Sequence, residues 1–600
     1  MAKIELADIG DVPVLRTIWK RTLRRTLRAS RLSDLVLAHD PLECLAFDYD
    51  LSDTLARLSG ELVAGTYRPQ SVEVVRSAKK VGLTRPLSFP TVIDSLVFRT
   101  IVSRAQNELG ASSPAWARFG RTHATDDDSD TPAESGWFRD WLKRQAQLWV
   151  ITGSNEWLVE TDIANFFPYV DVTAVAEHVL SNSSLAEDVV RLLELMLRSF
   201  APMRSYRPSR VGGLPQEPFD SSRILAHAYL KPLDDAFAAE GGAGRYSRWV
   251  DDVVIGGSSW QEALQQVRRA QTSMEQLGLY PNAVKTRILP ASVFADDYMK
   301  DENDYLGMVQ EQLDKGTPVA RAWFRQRLAQ RVKGTTRPKA WGRVLRRYYT
   351  ASRRLEDKYL LRWWPKHMQE SPDSARNILD FLATFQLTKS RLRTLQSVLA
   401  RFGGVYEDLD LLVREAVSQA PNNASVATRE AYAEWGLNTA DAELEGNPRL
   451  ASASILVIGK FGVERQLDEL ASMFRARMVT DTPARQQAVV VLLGCGRIDE
   501  SDLINLLVQS SAESVQHLQF LLALIAAEPR AVGTALSGLE PAERRGPDRW
   551  VTRPRMLFVA PLVASADPKR WSAVSTGWLK KLRSNRRRLR DAAAERWYTI

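Results

Sequence analysis

Two adjacent carboxylates inside an apolar segment constrain the fold of this chain more than any other feature. The stretch RWVDDVVIGG at 248–257 places Asp251 and Asp252 in a β-branched run that two glycines close. Burying an unpaired charge costs several kcal/mol, so these carboxylates require a compensating cation. Adjacent strand residues point to opposite faces. The two side chains therefore reach one metal ion only at the tight turn of a hairpin, with a third carboxylate from a neighbouring strand.

A second segment supplies a candidate for that third carboxylate. In WLVETDIANFFPYVD at 157–171, Asp162 ends an apolar strand and Phe167 follows five positions later. Two neighbouring strands that carry Asp162 and Asp251 have the spacing needed to hold two Mg²⁺ ions for in-line phosphoryl transfer. Asp252 is either a further ligand or a structural turn residue.

The pattern of apolar residues changes near residue 310. Before it, short β-branched runs such as 72–77 and 157–163 alternate with helical segments such as 184–200, which predicts an α/β or α+β region. After it, amphipathic segments follow one another and strand signals almost disappear. These segments lie at 374–387, 390–402, 465–478, 484–495 and 500–510.

The length of 600 residues exceeds what one hydrophobic core supports, so we predict two domains, 1–310 and 311–600. The second domain is expected to be an α-solenoid of helical hairpins, with a plain helical bundle as the alternative. No apolar run approaches the roughly 18 to 20 residues that span a bilayer. The N-terminal residues lack the features of a signal peptide, and only two cysteines are present. We therefore expect a cytoplasmic protein without a membrane partner.

The net charge of +9 favours a polyanionic partner. Basic residues concentrate at 16–31, 321–354 and 580–590, and the middle stretch mixes them with aromatic residues. Cations and aromatic rings together are typical of single-stranded nucleic-acid binding. A solvated helix face backed by core aromatics explains each stretch equally well.

The two aspartate segments resemble motifs A and C of a reverse transcriptase palm. Four further segments resemble other motifs of that family and follow in its order. They are KKVGLTRPLSFPTVIDSLV at 79–97 (fingers of group II intron and retron enzymes), GGLPQEPFDSSRILAHAYLKPLD at 212–234 (motif B), LGLYPNAVKTRIL at 277–289 (motif D) and DYLGMV at 304–309 (motif E). The resemblance implies an α+β right-hand polymerase palm and fingers followed by an all-α, HEAT-like helical-repeat domain.

The resemblance also implies a role for each matched residue. The catalytic carboxylates would be those of Asp162, Asp251 and Asp252, holding two Mg²⁺ ions, with Mn²⁺ as an alternative. The nucleotide-binding residues would be Lys79, Lys80, Arg85, Phe167, Gln216 and Lys285.

Within that set, Arg85 would contact the triphosphate, and Lys79 or Lys80 would assist it. Lys285 would lie near the pyrophosphate leaving group as a proton donor. Gln216 would position the nucleotide or the template. Phe167 matches an aromatic gate that excludes a ribose 2′-hydroxyl. The alternatives are that Phe166 is the gate, or that both rings belong to the core.

One departure from the family pattern concerns motif B, where Glu217 replaces the usual Gly after the Gln. A carboxylate there puts ordinary template handling in doubt. With the long helical second half, the chain looks like the abortive-infection (AbiK-like) and other defence-associated reverse transcriptases of bacteria. That likeness implies protein-primed DNA synthesis with or without a template, a homo-oligomer and a role against phage. The candidate priming hydroxyls are those of Tyr348, Tyr349, Tyr359, Tyr406 and Tyr598.

Three other acidic segments are predicted to be non-catalytic. FADDYMK at 294–300 is expected to form a polar loop, and Asp234-Asp235 to lie on a helix surface. The segment at 125–136 is expected to be a surface loop.

The leading hypothesis is a polymerase that uses deoxynucleoside triphosphates and single-stranded DNA or RNA. Two alternatives remain: a retron or group II intron-like enzyme that copies a defined RNA, and a non-catalytic nucleic-acid-binding scaffold.

Overall fold

The computed structural model of the chain describes residues 3–24, 27, 40–42, 44–70, 72–79, 82–110, 116–118, 134–200, 213–238, 242–334, 337–421, 423–538, 543–544, 550–551, 555, 558–559 and 562–563. Four features of the sequence analysis lie outside these residues: Lys80, Tyr598, most of the acidic segment 125–136 and the basic stretch 580–590.

The strands form one five-stranded mixed sheet and two small hairpins. In chain order they are β1 (Glu73–Ala78), β2 (Thr84–Phe89), β3 (Ala117–Arg118), β4 (Trp157–Asp162), β5 (Tyr246–Trp249), β6 (Asp252–Gly257), β7 (Arg287–Pro290), β8 (Glu543–Arg544) and β9 (Trp550–Val551). The large sheet has the order β3-β5-β6-β4-β7, and β1 pairs only with β2. Strand β3 runs parallel to β5, and the other neighbours are antiparallel.

The first half of β4 and the run of β6 after Asp252 are apolar because both faces of the sheet are covered. From Leu158 onward every residue of β4 is buried, and so is every residue of β6 after Asp252. A continuous apolar run is typical of such doubly buried strands. Gly256 is needed for packing, since an added Cβ would lie 2.4 Å from the side chain of Asn155.

The rest of the described chain is mostly helical. Up to residue 275 the α-helices are Leu6–Ile9, Val12–Ile18, Leu45–Tyr49, Leu51–Val63, Val92–Gly110, Glu134–Ser154, Phe166–Tyr169, Val172–Asn182, Glu187–Phe200, Ser221–Tyr229, Lys231–Ala238 and Trp260–Glu275, with a π-helical turn at Trp19–Leu23 and a 3₁₀ turn at Gly242–Gly244.

Beyond the sheet, helices follow one another. They are Ala291–Asp297, Lys300–Asp314, Arg321–Lys333, Trp341–Arg354, Trp364–Glu370, Ala375–Leu382, Lys389–Phe402, Glu407–Gln419, Val426–Glu443, Pro448–Phe461, Glu464–Arg477, Pro483–Gly494, Glu500–Leu507, Ala512–Ile525 and Pro529–Gly538, with 3₁₀ turns at Lys358–Arg362 and Pro372–Ser374. The predicted helical second half is thus confirmed, and the predicted strands at 72–77, 157–163 and 248–257 are present. In the described part of the chain, no helix has the length and apolar character needed to cross a membrane.

The hydrophobic cores do not simply follow chain order. One cluster gathers residues from Ile9 to Leu279 around one face of the sheet. A second cluster runs from Met299 to Phe461 and also includes Val75 and Phe89 of the β1–β2 hairpin. A third joins the last helices to Leu42, Leu45 and Ala46 near the start of the chain. The early segments are therefore held by helices that come much later in the sequence.

Two of the non-catalytic acidic segments differ from prediction. FADDYMK is not a polar loop, because Ala291–Asp297 is a helix whose Phe294 is buried and stacks on Tyr298 at 4.4 Å. The apolar faces of these two rings, four residues apart, stabilise helix rather than loop. Asp235 is exposed as expected, but Asp234 is completely buried.

Candidate active site

The β5–β6 hairpin turn carries the two adjacent carboxylates. Only Val250 and Asp251 lie between the strands, and Val250 has a φ of 55°, which is unfavourable for a β-branched residue. The backbone carbonyl of Asp251 accepts a hydrogen bond of 3.1 Å from Ile163. This bond fixes the turn against the end of β4, and backbone strain of this kind is concentrated at functional sites.

A buried ion pair anchors the same hairpin. Arg248 of β5 and Asp234 are both fully buried, and the carboxylate accepts from Nε at 2.7 Å and from Nη2 at 2.5 Å. The hydroxyl of Tyr246 donates to Asp234 at 2.8 Å. Bidentate pairs of this kind fix geometry as well as charge. The Arg of RWVDD therefore ties the turn to the helix Lys231–Ala238.

The register of the sheet brings the three predicted carboxylates together. Asp162 pairs directly with Asp252 across β4 and β6, and Asp251 lies in the adjoining turn. Burial, and then the negative charges of Asp252 and Asp162, raise the pKa of Asp251 to about 7, while Arg85 opposes the rise. The three carboxylates thus interact electrostatically, and Asp251 is the one with the least compensation.

Basic side chains neutralise the other two carboxylates. The ammonium of Lys285 lies 2.7 Å from Asp162, and Nη2 of Arg343 lies 3.2 Å from Asp252. Burial raises the pKa of Asp252, but nearby cations, led by Arg144 and Arg343, outweigh it and hold this pKa below its ordinary value. Asp162 and Asp252 therefore each have a cationic partner in this structure.

Lys285 reaches Asp162 because the chain turns back at Asn282. The amide of Asn282 donates to the carbonyl of Asp162 at 2.7 Å, and the amide of Lys285 donates to the carbonyl of Asn282 at 3.0 Å. The Asn and Lys of the NAVKT segment are thus fixed at the end of β4.

The donor atoms suit a hard divalent cation. Carboxylate oxygens are the ligands that Mg²⁺ and Mn²⁺ prefer. A cation beside Asp251 would also oppose the burial and the carboxylate repulsion that raise its pKa. However, within the described ranges no group of three or more His, Cys, Asp or Glu side chains has the arrangement of a metal site. The chemistry of the residues therefore fits a metal, whereas their present positions do not form a closed ligand set.

The β1–β2 hairpin presents Arg85 to this region. Arg85 is exposed on β2 opposite Ser77, and its charge acts on Asp251. Lys79 is also exposed, and its amide donates to the carbonyl of Leu83 at 2.9 Å. The hairpin therefore holds Arg85 within electrostatic range of the carboxylates.

The segment that precedes the helix Ser221–Tyr229 contacts both the hairpin and Phe167. The amide of Leu214 donates to the carbonyl of Phe167 at 2.8 Å, and the amide of Ser88 donates to the carbonyl of Gln216 at 2.9 Å. The Phe166 ring is buried, whereas Phe167 is only partly buried and meets it edge-on at 5.3 Å. Of the two rings, Phe167 is the one available for a gate.

Glu217 has a structural role that the sequence did not indicate. Its buried carboxylate accepts from the amide of Phe219 at 2.5 Å and from the amide of Ser222 at 3.0 Å. Burial raises the pKa of Glu217, while these two bonds oppose the rise. The side chain thus caps the helix Ser221–Tyr229 from within the protein, so any effect on a template is indirect.

Most of the candidate priming hydroxyls are inside the protein. Tyr348 and Tyr349 are fully buried, and their hydroxyls contact Glu302 and His367, respectively. The hydroxyl of Tyr406 accepts from the amide of Gly82 at 2.8 Å. Tyr359 is partly buried.

Many basic side chains of the stretch 321–354 form ion pairs within the protein. Arg327 and Arg331 both bind the buried carboxylate of Glu302, and Arg325 binds Asp357. Its aromatic rings belong mainly to the second core, although Trp323 is exposed. The alternative of a helix face backed by core aromatics therefore describes most of this stretch.

Sequence reasoning missed the basic partners of Asp252 and Glu160. Arg144 is almost fully buried, and Lys339 lies 2.5 Å from Glu160. Arg343 was visible only as one of many basic residues, since its distance of 91 positions from Asp252 leaves no local signal.

No protein-family model matches the chain, and no curated protein is significantly similar to it.

Proposed function

We propose that this protein is a DNA polymerase of the reverse transcriptase type that depends on divalent cations. The observation that carries the proposal is the pairing of Asp162 with Asp252 on neighbouring strands, with Asp251 in the adjoining turn. Nucleotidyl transfer needs several carboxylates at one point and cations for the polyphosphate. The proposal is supported by the ammonium of Lys285, 2.7 Å from Asp162, and by the charge of Arg85, which acts on Asp251.

In the proposed reaction, Asp162, Asp251 and Asp252 would hold two Mg²⁺ ions, which would supply a lowered pKa for the attacking 3′-hydroxyl and neutralise charge on the phosphoryl group. Arg85 and Lys79 bind the triphosphate of the incoming deoxynucleotide. Lys285 holds a proton close to the pyrophosphate leaving group.

Two further residues select and position the nucleotide in this proposal. The partly buried ring of Phe167 excludes a ribose 2′-hydroxyl, and Gln216 lies between Phe167 and the β1–β2 hairpin to orient the base or the template. The five-stranded sheet then corresponds to a palm, the β1–β2 hairpin to fingers and the helical second half to HEAT-like repeats.

The wider proposal follows from the family resemblance alone. It comprises protein-primed DNA synthesis with or without a template, single-stranded DNA or RNA as partner, a cytoplasmic homo-oligomer and a role in abortive infection.

The experiment that tests this function is incorporation of labelled deoxynucleotides by the purified full chain in Mg²⁺, without and with added template and primer. Asp251→Asn should abolish incorporation, and Asp235→Asn is the matched control because Asp235 is an exposed carboxylate on the helix Lys231–Ala238. Label that is released only by protease supports protein priming.

The alternatives give different results in the same experiment. Product that requires an RNA template and a primer supports the retron-like enzyme. Absence of product in every condition, with nucleic-acid binding retained, supports the non-catalytic scaffold and overturns the proposed function.

A further inference from the structure

A basic cavity lies where the first helices meet the last described helix. Its volume is about 550 Å³. It is lined by the helix Val12–Ile18 and the π-helical turn after it, by the start of the helix Leu51–Val63 and by the helix Pro529–Gly538. None of these elements contributes to the candidate active site, so the cavity is a separate feature of the molecule.

Positive charge is in strong excess among the described residues that line the cavity. Four cations, Arg16, Lys20, Arg24 and Arg530, face it together with a single carboxylate, Asp48. That carboxylate is already engaged, because it lies 2.5 Å from Nε of Arg24 and accepts a bond of 2.7 Å from the indole of Trp19. Three cations thus remain without a carboxylate in the lining, and an anion would relieve their mutual repulsion.

Acidic side chains nearby are directed to other partners. Glu528 accepts from the hydroxyl of Tyr49 at 2.7 Å, and Asp50 accepts from Gln516 at 2.9 Å. The guanidinium of Arg530 lies 5.2 Å over the ring of Tyr49. These contacts hold Arg530 against Tyr49, and none of them is a direct ion pair with a carboxylate of the described residues.

Hydroxyl groups orient two of the guanidinium groups at the wall. Ser52 accepts from Nη2 of Arg16 at 3.3 Å, and Ser537 accepts from Nη2 of Arg24 at 2.9 Å. Arginine forks bind phosphate oxygens in a bidentate manner when their planes are fixed. Thr534 and Ser52 add neutral hydrogen-bonding groups to the same wall.

We propose that this cavity binds the phosphate chain of a nucleotide-sized ligand, such as a nucleoside triphosphate or an inorganic triphosphate. Its volume falls within the range of roughly 300–1,000 Å³ that is typical of small-molecule sites. The ligand joins Arg16 and Lys20 to Arg530 of the helix Pro529–Gly538 and so stabilises the contact between the early helices and that helix. This inference does not depend on the proposed polymerase function.

The test measures binding of inorganic triphosphate and of ATP to the full chain in EDTA, by calorimetry and by thermal unfolding. EDTA removes the divalent cations that a polymerase site would need. The double variant Arg16→Ser/Lys20→Ser should lose at least tenfold in affinity and lose the ligand-dependent rise in unfolding temperature. The matched control is Arg21→Ser/Arg57→Ser, which removes the same charge from exposed positions that do not line the cavity.

Saturable binding that the control retains and the cavity variant loses supports the site. Equal triphosphate and ATP affinities place recognition in the phosphates, and tighter ATP binding adds a contact to the nucleoside; both support the proposal. Equal losses in the two variants overturn it, because they indicate general electrostatic attraction. Unchanged binding in the cavity variant, or binding of single-stranded DNA alone, also overturns it.

Discussion

At the scale of single residues, the neighbours Asp251 and Asp252 have opposite electrostatic surroundings. Asp252 is paired with Arg343 and Arg144, which hold its pKa down. Asp251 is at the turn, where burial and the other carboxylates raise its pKa to about 7. A residue that destabilises the fold in this way is typical of a site kept for function.

We predict that Asp251→Asn abolishes nucleotide incorporation and stabilises the fold at neutral pH in EDTA. The folded-state pKa of Asp251 is above its ordinary value of 3.8, so folded protein binds a proton that unfolded protein has released. The free energy of unfolding therefore falls as pH rises from about 4 to about 7. The gain in unfolding temperature should be small at pH 5 and larger at pH 7.5.

The matched variant is Asp252→Asn, for which the expected stability change has the opposite sign. The pKa of Asp252 is depressed, so its ionised form stabilises the fold at neutral pH and this contribution is lost as pH falls. Removing the charge of Asp252 also takes away a negative charge that compensates the buried guanidinium of Arg144. If both variants shifted the unfolding temperature in the same direction, the electrostatic description of the turn would be wrong.

We predict that Phe167→Ala increases ribonucleotide incorporation relative to deoxynucleotide incorporation by about tenfold or more. The reason is that its ring is partly exposed, whereas Phe166 is buried in the core. Phe166→Ala should instead destabilise the protein by about 3–5 kcal/mol. The measurements are the ratio of kcat/KM values for the two nucleotide types and thermal unfolding. If Phe166 were the gate instead, Phe166→Ala would increase relative ribonucleotide incorporation and Phe167→Ala would not.

At the scale of elements, two buried carboxylates hold the polypeptide around the candidate site. Glu217 caps the helix Ser221–Tyr229, and Asp234 on the following helix binds Arg248 of β5. Together they fix the helices Ser221–Tyr229 and Lys231–Ala238 and the β5–β6 hairpin relative to one another. Pairing across elements of this kind positions a site more firmly than loop contacts do.

We predict that Glu217→Ala destabilises the protein by about 1–3 kcal/mol, because two buried amides at the helix start lose their acceptor. The control is Glu187→Ala, an exposed carboxylate in the first turn of the helix Glu187–Phe200. It should change stability much less, as measured by chemical unfolding. An unchanged stability of Glu217→Ala would remove the capping role and return this residue to template handling.

At the scale of the whole molecule, the helical second half binds the β1–β2 hairpin and holds it in position. The hydroxyl of Ser77 and the amide of Ala78 donate to Asp408 at 2.6 and 3.0 Å, and Tyr406 binds Gly82. The β1–β2 hairpin also lies in the core of that second half. The position of Arg85 relative to Asp251 therefore depends on residues more than 300 positions later in the chain.

We predict that Asp408→Ala loosens the β1–β2 hairpin and raises the KM for deoxynucleotides. Loss of its two bonds should cost about 1.5 kcal/mol, which corresponds to roughly tenfold faster amide exchange in 73–89. Hydrogen exchange read by mass spectrometry provides the measurement. Asp468→Ala, at an exposed carboxylate of the same half, is the control and should leave exchange in 73–89 unchanged. Equal exchange in both variants would show that the hairpin does not depend on this contact.

Local patterns predicted the elements well because their causes are local. Alternating and continuous apolar runs identified β4 and the β5–β6 hairpin, and amphipathic spacing identified the later helices. The polar loop expected at FADDYMK was wrong because Phe294, besides stacking on Tyr298, is buried against residues distant in sequence such as Leu148 and Val254. The surface position expected for Asp234 was wrong for the same reason, since its partner Arg248 comes from another element.

The sequence by itself determined that Asp162, Asp251 and Asp252 end strands or occupy turns, because strand patterns and the cost of buried charge act over a few residues. Only the tertiary structure decided which cations face them. Arg343, Arg144 and Lys285 come from separate elements, and their distances to the carboxylates depend on helix packing and strand order. The physical reason is that electrostatic pairing depends on separation in space, which the separation in sequence does not fix.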